Sequence, residues 1–327
     1  MRVLVCGGAG YIGSNMTAML ASEGHQPIVY DNLSKGHKAA VGNIELIMGD
    51  LNNYDLLVKT LERFNIEAVM HFAAFIEVGE SVEKPLKYYQ NNLCATHNLL
   101  CAMETAGVRK FIFSSTAAVY GIPEKFPITE NSPTKPINPY GQSKLAVEEM
   151  CHYQSLTGKL NFAALRYFNA CGAGNSGKLG EDHRPESHLI PLTIQAAMGK
   201  RSEIKIFGKD YPTPDGTCVR DYVHIEDLCR AHLLALKKLD NIQELRCNLG
   251  NERGHSVREV IETVKKISGR NFKAVEVDRR AGDPPVLTAD AKKAKTELGW
   301  KVQKPDLEEI VETAWKWHSE HPNGYPE

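Results

Sequence analysis

"VLVCGGAGYIGS", residues 3–14, decides the fold. Val3 to Cys6 form an apolar strand-like run, and the stretch "SNMTAMLASEG" that follows the glycines has helical spacing. Between them Gly7, Gly10 and Gly13 read G-x-x-G-x-x-G, a variant of the dinucleotide fingerprint. Small residues at a strand-to-helix turn let the backbone approach a pyrophosphate, and the positive helix N-terminus favours that anion. A glycine-rich turn by itself is only a tight loop, so its surroundings must give it meaning.

Downstream, strand runs "PIVYD", "IELIMGDL", "AVMHFAA", "KFIFSST" and "FAALRYFN" alternate with helical patterns such as "YDLLVKTLERFN", "NNLCATHNLLCAMETAG" and "SKLAVEEMCHYQSLTG". Continuous apolar strands between amphipathic helices predict a parallel sheet covered on both faces. That is a doubly wound α/β (Rossmann) fold, whose ligands sit at the carboxyl ends of the strands. Asp31 closes the second strand about twenty residues after the glycines, placed to accept from a ribose diol. Its charge would repel a 2′-phosphate, which favours NAD over NADP. Asp50 and Leu51 end the third strand, where an adenine edge can bind. Phe72, Ala73 and Ala74 end the fourth, small enough to let a cofactor pass. Past residue 168 the alternation gives way to two long loops, "CGAGNSGKLGEDHRPES" and "KDYPTPDGTCVRDY". Loops of that length are usually functional. The expected organisation is an NAD-binding domain over 1–168, to which 224–250 return, and a smaller C-terminal α/β lobe over 169–327.

Composition narrows the rest. Net charge is −1 and no basic run exists, which argues against nucleic acid or an anionic membrane surface. "AHLLALKKL" is short and broken by lysines, so it is not read as a membrane span. The strand-like N-terminus reads as no signal peptide, and a cytoplasmic protein is expected. Eight scattered cysteines without Cys-x-x-Cys read as buried reduced thiols. Twelve histidines show no familiar ligand spacing, "HSEH" near the end reads as surface, and no metal is expected.

"NPYGQSK", residues 138–144, carries the chemistry. Tyr140 and Lys144 are four apart, one helical turn, on one face. An unperturbed phenol titrates near ~10, so a neutral-pH base needs a fall of about three units, roughly 4 kcal/mol. One positive charge at ~6 Å with an effective dielectric of ~20 supplies about 2.8 kcal/mol. Lys144 therefore falls short alone. Oxidised nicotinamide, itself cationic, and a helix N-terminus starting at Pro139 are expected to supply the rest. Strand five ends in Ser114 to Thr116, so hydroxyl, phenol and ammonium converge at one rim. That constellation resembles the extended short-chain dehydrogenase/reductase superfamily.

The blocks "RYFNACGA", "GEDHRPESHLIPL", "IFGKDYPTPDGTCVRDYVHIEDL", "NLGN" and "RRAGDPP" resemble the UDP-glucose 4-epimerase family more specifically. The resemblance implies that Tyr140 removes the proton of the sugar 4-hydroxyl while Thr116 bonds sugar or phenol. Lys144 also holds the nicotinamide ribose, and hydride leaves C4 for NAD and returns to the other face of a 4-keto sugar. It adds Tyr11, Ile12, Asn32, Asn91, Ser114 and Tyr167 to the cofactor contacts. It also implies Arg220 and Arg280 on the diphosphate, Phe207 against uracil, and Asp283 on the uridine ribose. Phe168, Asn169, His188, Leu189, Ile206 and Tyr222 complete the implied nucleotide-sugar wall, and a homodimer through a four-helix interface is implied too. Ile76 departs from a lysine found near the cofactor phosphates in some members. His188 replaces a common Asn, and Leu287 at a size-selecting position leaves N-acetylated sugars open, as UDP-pentoses are. Ala117 and Ala118 stand where dehydratases carry acids. A non-catalytic NAD sensor would tend to lose the Tyr-Lys pair, and an ordinary dehydrogenase would release reduced cofactor.

Overall fold

Strand β1 (Arg2–Cys6) is buried from Val3 onward, as its unbroken apolar run requires. In the computed structural model, which describes residues 1–174, 176–280 and 282–326, five further strands follow before the chain leaves the first sheet. They are β2 (Gln26–Asp31), β3 (Leu46–Met48), β4 (Ala68–His71), β5 (Lys110–Thr116) and β6 (Asn161–Tyr167). After β7 (Asn169–Cys171), β8 (Glu203–Phe207) and β9 (Val219–His224), strand β10 (Glu244–Leu249) returns and pairs parallel with β6. The sheet order is β10-β6-β5-β4-β1-β2-β3. Its pairs are parallel throughout, with Cys6 opposite both Tyr30 and His71. The chain runs outward from β1 to β3 and then crosses to β4 on the other side of β1. The carboxyl ends of β1, β2 and β4 therefore flank a crevice at the point where the order reverses.

Side chains of one strand alternate between the two faces. Val3 and Val5 join one core with Met16, Leu20, Leu228 and Leu236, whereas Leu4 and Cys6 join the other with Leu57, Leu61, Leu99 and Val147. Each such burial stabilises by about 1.5–3 kcal/mol. The expected strand "IELIMGDL" shrinks to Leu46–Met48, since β3 lies at the sheet edge, where short strands avoid exposing a long row of unpaired groups.

The remaining strands build the lobe that faces the crevice. They are β11 (Gly254–Ser256), β12 (Lys273–Val277) and β13 (Val286–Leu287). β9 lies between β11 and β13 and also pairs with β7, while β12 pairs with β8. Helices Leu189–Ala197, Val257–Ser268 and Leu307–Glu320 bury Ile190, Ile194, Val260, Val264, Ile310 and Val311 against one another. Ser256 and Glu259 close a capping box on the middle helix, and Gly269 ends it at φ +63°. All eight cysteines are free; six are buried, Cys94 is exposed and Cys101 is partly so. Among the described residues no helix is long and apolar enough to cross a membrane. His321, in the stretch read as surface, is partly exposed and its ring stacks on Trp317 at 4.9 Å.

Candidate active site

A single cleft runs along the carboxyl edge of the sheet. Gly7, Gly10, Tyr11, Ile12, Gly13, Asp31, Asn32, Asp50, Leu51, Phe72, Ala73, Ala74 and Asn91 line one part. Ser114, Thr116, Tyr140, Lys144, Tyr167, Phe168, Asn169, His188, Leu189 and Tyr222 line the rest.

The glycine turn is shaped by close approach. Gly7 sits at φ +78°, where a Cβ would come within 2.5 Å of the Ala73 nitrogen, and a Cβ on Gly13 would strike the Gly7 carbonyl. Only Gly fits both positions, and the result is a bare backbone cradle at the start of helix Tyr11–Ser22. Asp31 accepts the backbone N–H of Ala9 at 3.0 Å and of Leu33 at 2.8 Å. Its burial pushes the carboxyl pKa up, against those two bonds. Asp50 accepts from Asn32 and from the Asn52 backbone, both at 2.8 Å. These bonds outweigh partial burial and hold its pKa below the usual range. An acidic side chain thus ends β2, a cradle ends β1, and the geometry fits a dinucleotide with a free ribose diol.

At the other end, Asn138 caps helix Pro139–Leu156 by accepting the Gly141 N–H at 2.8 Å. Pro139 is its first residue, and the helix carries Tyr140 and Lys144 into the cleft. The Lys144 ammonium donates to the Ser114 carbonyl at 2.9 Å and lies 4.9 Å from the centre of the Phe113 ring. Burial lowers it to about 7. Burial likewise raises Tyr140, while a hydrogen bond from Thr116 works the other way. The protein's own groups therefore leave the phenol protonated, a departure from the lowering expected of Lys144. The ammonium is engaged by a carbonyl, and burial disfavours its charged form.

One turn further, Glu148 is wholly buried and paired with Arg166 at 2.5 Å. It also accepts from Ser115 at 2.5 Å, and Arg166 donates to Tyr120 at 2.9 Å. This network ties the helix to β5 and β6 directly behind Ser114, Thr116 and Tyr167. The sequence reading missed it, although the i, i+4, i+8 spacing of Tyr140, Lys144 and Glu148 was there to be read.

Five expected nucleotide contacts stand apart from this cleft. Ile206 is 2% exposed in an apolar cluster with Ala196, Ile204 and Ile261, so it is lobe core. Phe207, the next residue on β8, faces outward with the Arg280 guanidinium 3.8 Å above its ring. Arg220 donates to the Val219 and Pro284 carbonyls at 2.9 Å each and lies 3.6 Å from Asp283. Leu287 packs with Phe168 beside Val119 and Ile128. Conversely, the cleft is lined by residues the sequence reading did not select, among them Lys35, Phe75, Glu77, Glu181 and His183, and by Ile76, which it placed near the cofactor phosphates. Lys35 reaches Glu77 across the cleft at 3.5 Å, placing a cation near the position where Ile76 lacks one.

No metal-ligand spacing stood out among the histidines, yet the fold gathers Glu181, His183, Glu186 and His188, with one donor atom from each lying within 4.8 Å of the others. Burial opposes the imidazolium forms, but Glu181 and Glu186 outweigh it, raising His183 to about 10 and His188 in the same direction.

Over residues 3–250 the chain matches the NAD dependent epimerase/dehydratase family. A UDP-glucose 4-epimerase of Halalkalibacterium halodurans is 49% identical over 326 residues, which is 99% of this chain and 98% of the relative. The crystal structure of UDP-glucose 4-epimerase from Brucella ovis in complex with NAD aligns at 47% identity and TM-score 0.94, covering 96% of this chain and 97% of that one. That of the Bifidobacterium longum enzyme in complex with NAD+ and UDP aligns at 38% identity and TM-score 0.95, covering 99% and 100%. With a glycine cradle, an acidic strand end and a Tyr-x-x-x-Lys helix on one cleft, and this similarity from end to end, the chain belongs to the NAD-dependent epimerase/dehydratase family, among its UDP-glucose 4-epimerases.

Proposed function

We propose that the chain interconverts UDP-glucose and UDP-galactose by inverting C4 of the sugar, and that it keeps NAD bound through the cycle. The observation that carries this is one cleft holding both the cofactor cradle and Tyr140, Thr116 and Lys144. NAD, when bound, supplies a reversible hydride acceptor for C4. Tyr140 would take the 4-hydroxyl proton as hydride leaves C4. After the 4-keto sugar has turned over, hydride would return to the opposite face of C4 and Tyr140 would give its proton back to the ketone oxygen. Thr116 steadies the phenolate oxygen, and Lys144 holds the ribose beside it. The sugar must turn while the nucleotide stays fixed, so grip belongs on the UDP end. Arg220, Arg280, Phe207 and Asp283 sit together on the lobe as that grip, with Asn169, His188 and Leu189 where the two sites meet. Ala117 and Ala118 offer no acid for elimination, which disfavours dehydration.

In this reading residues 1–168 with 224–250 serve the cofactor, and the remainder serves the nucleotide sugar. Two copies join through helices Ala95–Thr105 and Pro139–Leu156, the second of which leaves Tyr153 and Leu156 more than half exposed. A cytoplasmic setting accords with eight unpaired cysteines. The test is conversion of UDP-galactose by purified protein without added NAD and without net NADH. Stoichiometric NADH release instead would make it a dehydrogenase.

A further inference from the structure

Four side chains at the edge of the cleft form a donor set, of which the epimerase reading uses only His188. Glu181 and His183 come from the long loop after β7, and Glu186 and His188 from its end, where His188 becomes the N-cap of helix Leu189–Ala197. Both imidazoles turn Nδ1 toward the same carboxylate oxygen. His188 Nδ1 lies 2.5 Å from Glu181 Oε1 and 3.8 Å from Glu186 Oε1. His183 Nδ1 lies 3.2 Å and 3.7 Å from those oxygens. Ligands 2.0–2.1 Å from a tetrahedral zinc ion are separated by roughly 3.3 Å, a value these four edges straddle. His183 Nδ1 is also shut off from solvent, and its contacts to the two carboxylates are ion pairs without the alignment of a hydrogen bond. Glu186 Oε1 accepts the backbone N–H groups of Ser187 and His188 at 2.7 and 2.8 Å, which fixes its carboxylate.

We propose that Glu181, His183, Glu186 and His188 bind one divalent cation of the zinc class. Two imidazole nitrogens with two carboxylate oxygens suit such an ion, and four protein donors leave no open position, so its role is structural. The ion clips the loop of residues 172–188 to the helix whose first turn lines the substrate part of the cleft.

The full-length protein, freed of loosely held metal, is assayed for zinc by mass spectrometry, and chelator-stripped protein is titrated with Zn²⁺ against a chromophoric chelator. One equivalent per chain is expected, and Co²⁺ in its place gives the strong visible bands of tetrahedral cobalt. His183→Ala and the milder Glu186→Gln weaken binding at least about a hundredfold, more than loss of an outer-shell partner does. Zn²⁺ raises the unfolding midpoint of the parent protein and of neither variant. The proposal is overturned if the parent binds no zinc and cobalt gives no tetrahedral bands. It is equally overturned if Glu186→Gln retains zinc as tightly as the parent, which places the metal elsewhere.

Discussion

Lys144 holds the Ser114 carbonyl at 2.9 Å, one helical turn from the phenol of Tyr140. Without a cofactor the ammonium sits at about 7 and the phenol above its ordinary value, both through burial. A base is needed in its deprotonated form, so activity must rise with pH through the phenol's pKa. The cofactor-stripped protein should form the Tyr140 phenolate only at higher pH than a free tyrosine, whereas the NAD⁺-loaded protein should form it at lower pH than the stripped one. In the loaded protein Lys144→Met should raise the midpoint by at most roughly two units, the 2.8 kcal/mol that a full charge at ~6 Å would supply. Absorbance titration read against Tyr140→Phe measures it; identical midpoints with and without NAD⁺ would refute it. Tyr140→Phe should lower kcat by about 10²–10⁴.

Glu148 and Arg166 form a buried pair directly behind the catalytic strand, with side chains 0% and 3% exposed. Removing one partner strands a charge, so Glu148→Gln should cost about 3–5 kcal/mol in a denaturant titration. The double change of Glu148 and Arg166 to Met and Leu should recover part of that. Additive losses in the double variant would mean that the two side chains do not act as a pair.

Much of this architecture was legible in residues 1–168. Val3 to Cys6 had to be a two-faced strand, and Asp31 falls at a strand end because the apolar run stops there. The Phe207 region was harder. Ile206 and Phe207 are neighbours on β8, and a period of two sends one into the core and the other outward. The resemblance alone could not say which. Glu148 and Arg166 were hidden because a buried charge looks like any surface charge in sequence. His183 and His188 lie on a loop and its helix junction, where no fixed spacing announces convergence.

The stacked pair of Arg280 and Phe207 leads to a separate expectation about binding. Arg280 lies 3.8 Å above the ring, near Arg220 and Asp283 on the lobe. A hydrogen bond to a charged partner contributes about 1.5–3 kcal/mol. Arg280→Ala should therefore raise KM for UDP-galactose about tenfold or more and leave kcat within about threefold, since this end of the substrate does not react. A large fall in kcat with KM unchanged would place Arg280 at the reacting end instead.

Acid should weaken the fold through three histidines buried in neutral form. Burial lowers His71 to about 3, with Lys144 adding to the effect; it also lowers His224 to about 3, helped by Lys304. His232 falls to about 4, through burial again and against a bond to the Leu228 carbonyl. All three side chains lie at 0–1% exposure. In the unfolded chain each protonates near ~6.5, so below that pH the unfolded state binds more protons and stability falls. Their contribution is complete above ~6.5 and is lost as pH drops toward the folded values. At pH 5.5 each costs about 1.4 kcal/mol and the three together about 4 kcal/mol. Urea titrations at pH 7.5 and 5.5 should show part of that loss as a lower midpoint at constant slope. The rest is offset by His183 and His188, which Glu181 and Glu186 raise and which therefore favour the folded state in acid. His232→Gln should reduce the pH dependence by about a third. A midpoint that stays level between the two pH values would mean that these rings are charged in the folded protein, or that acidic groups gain as much as they lose.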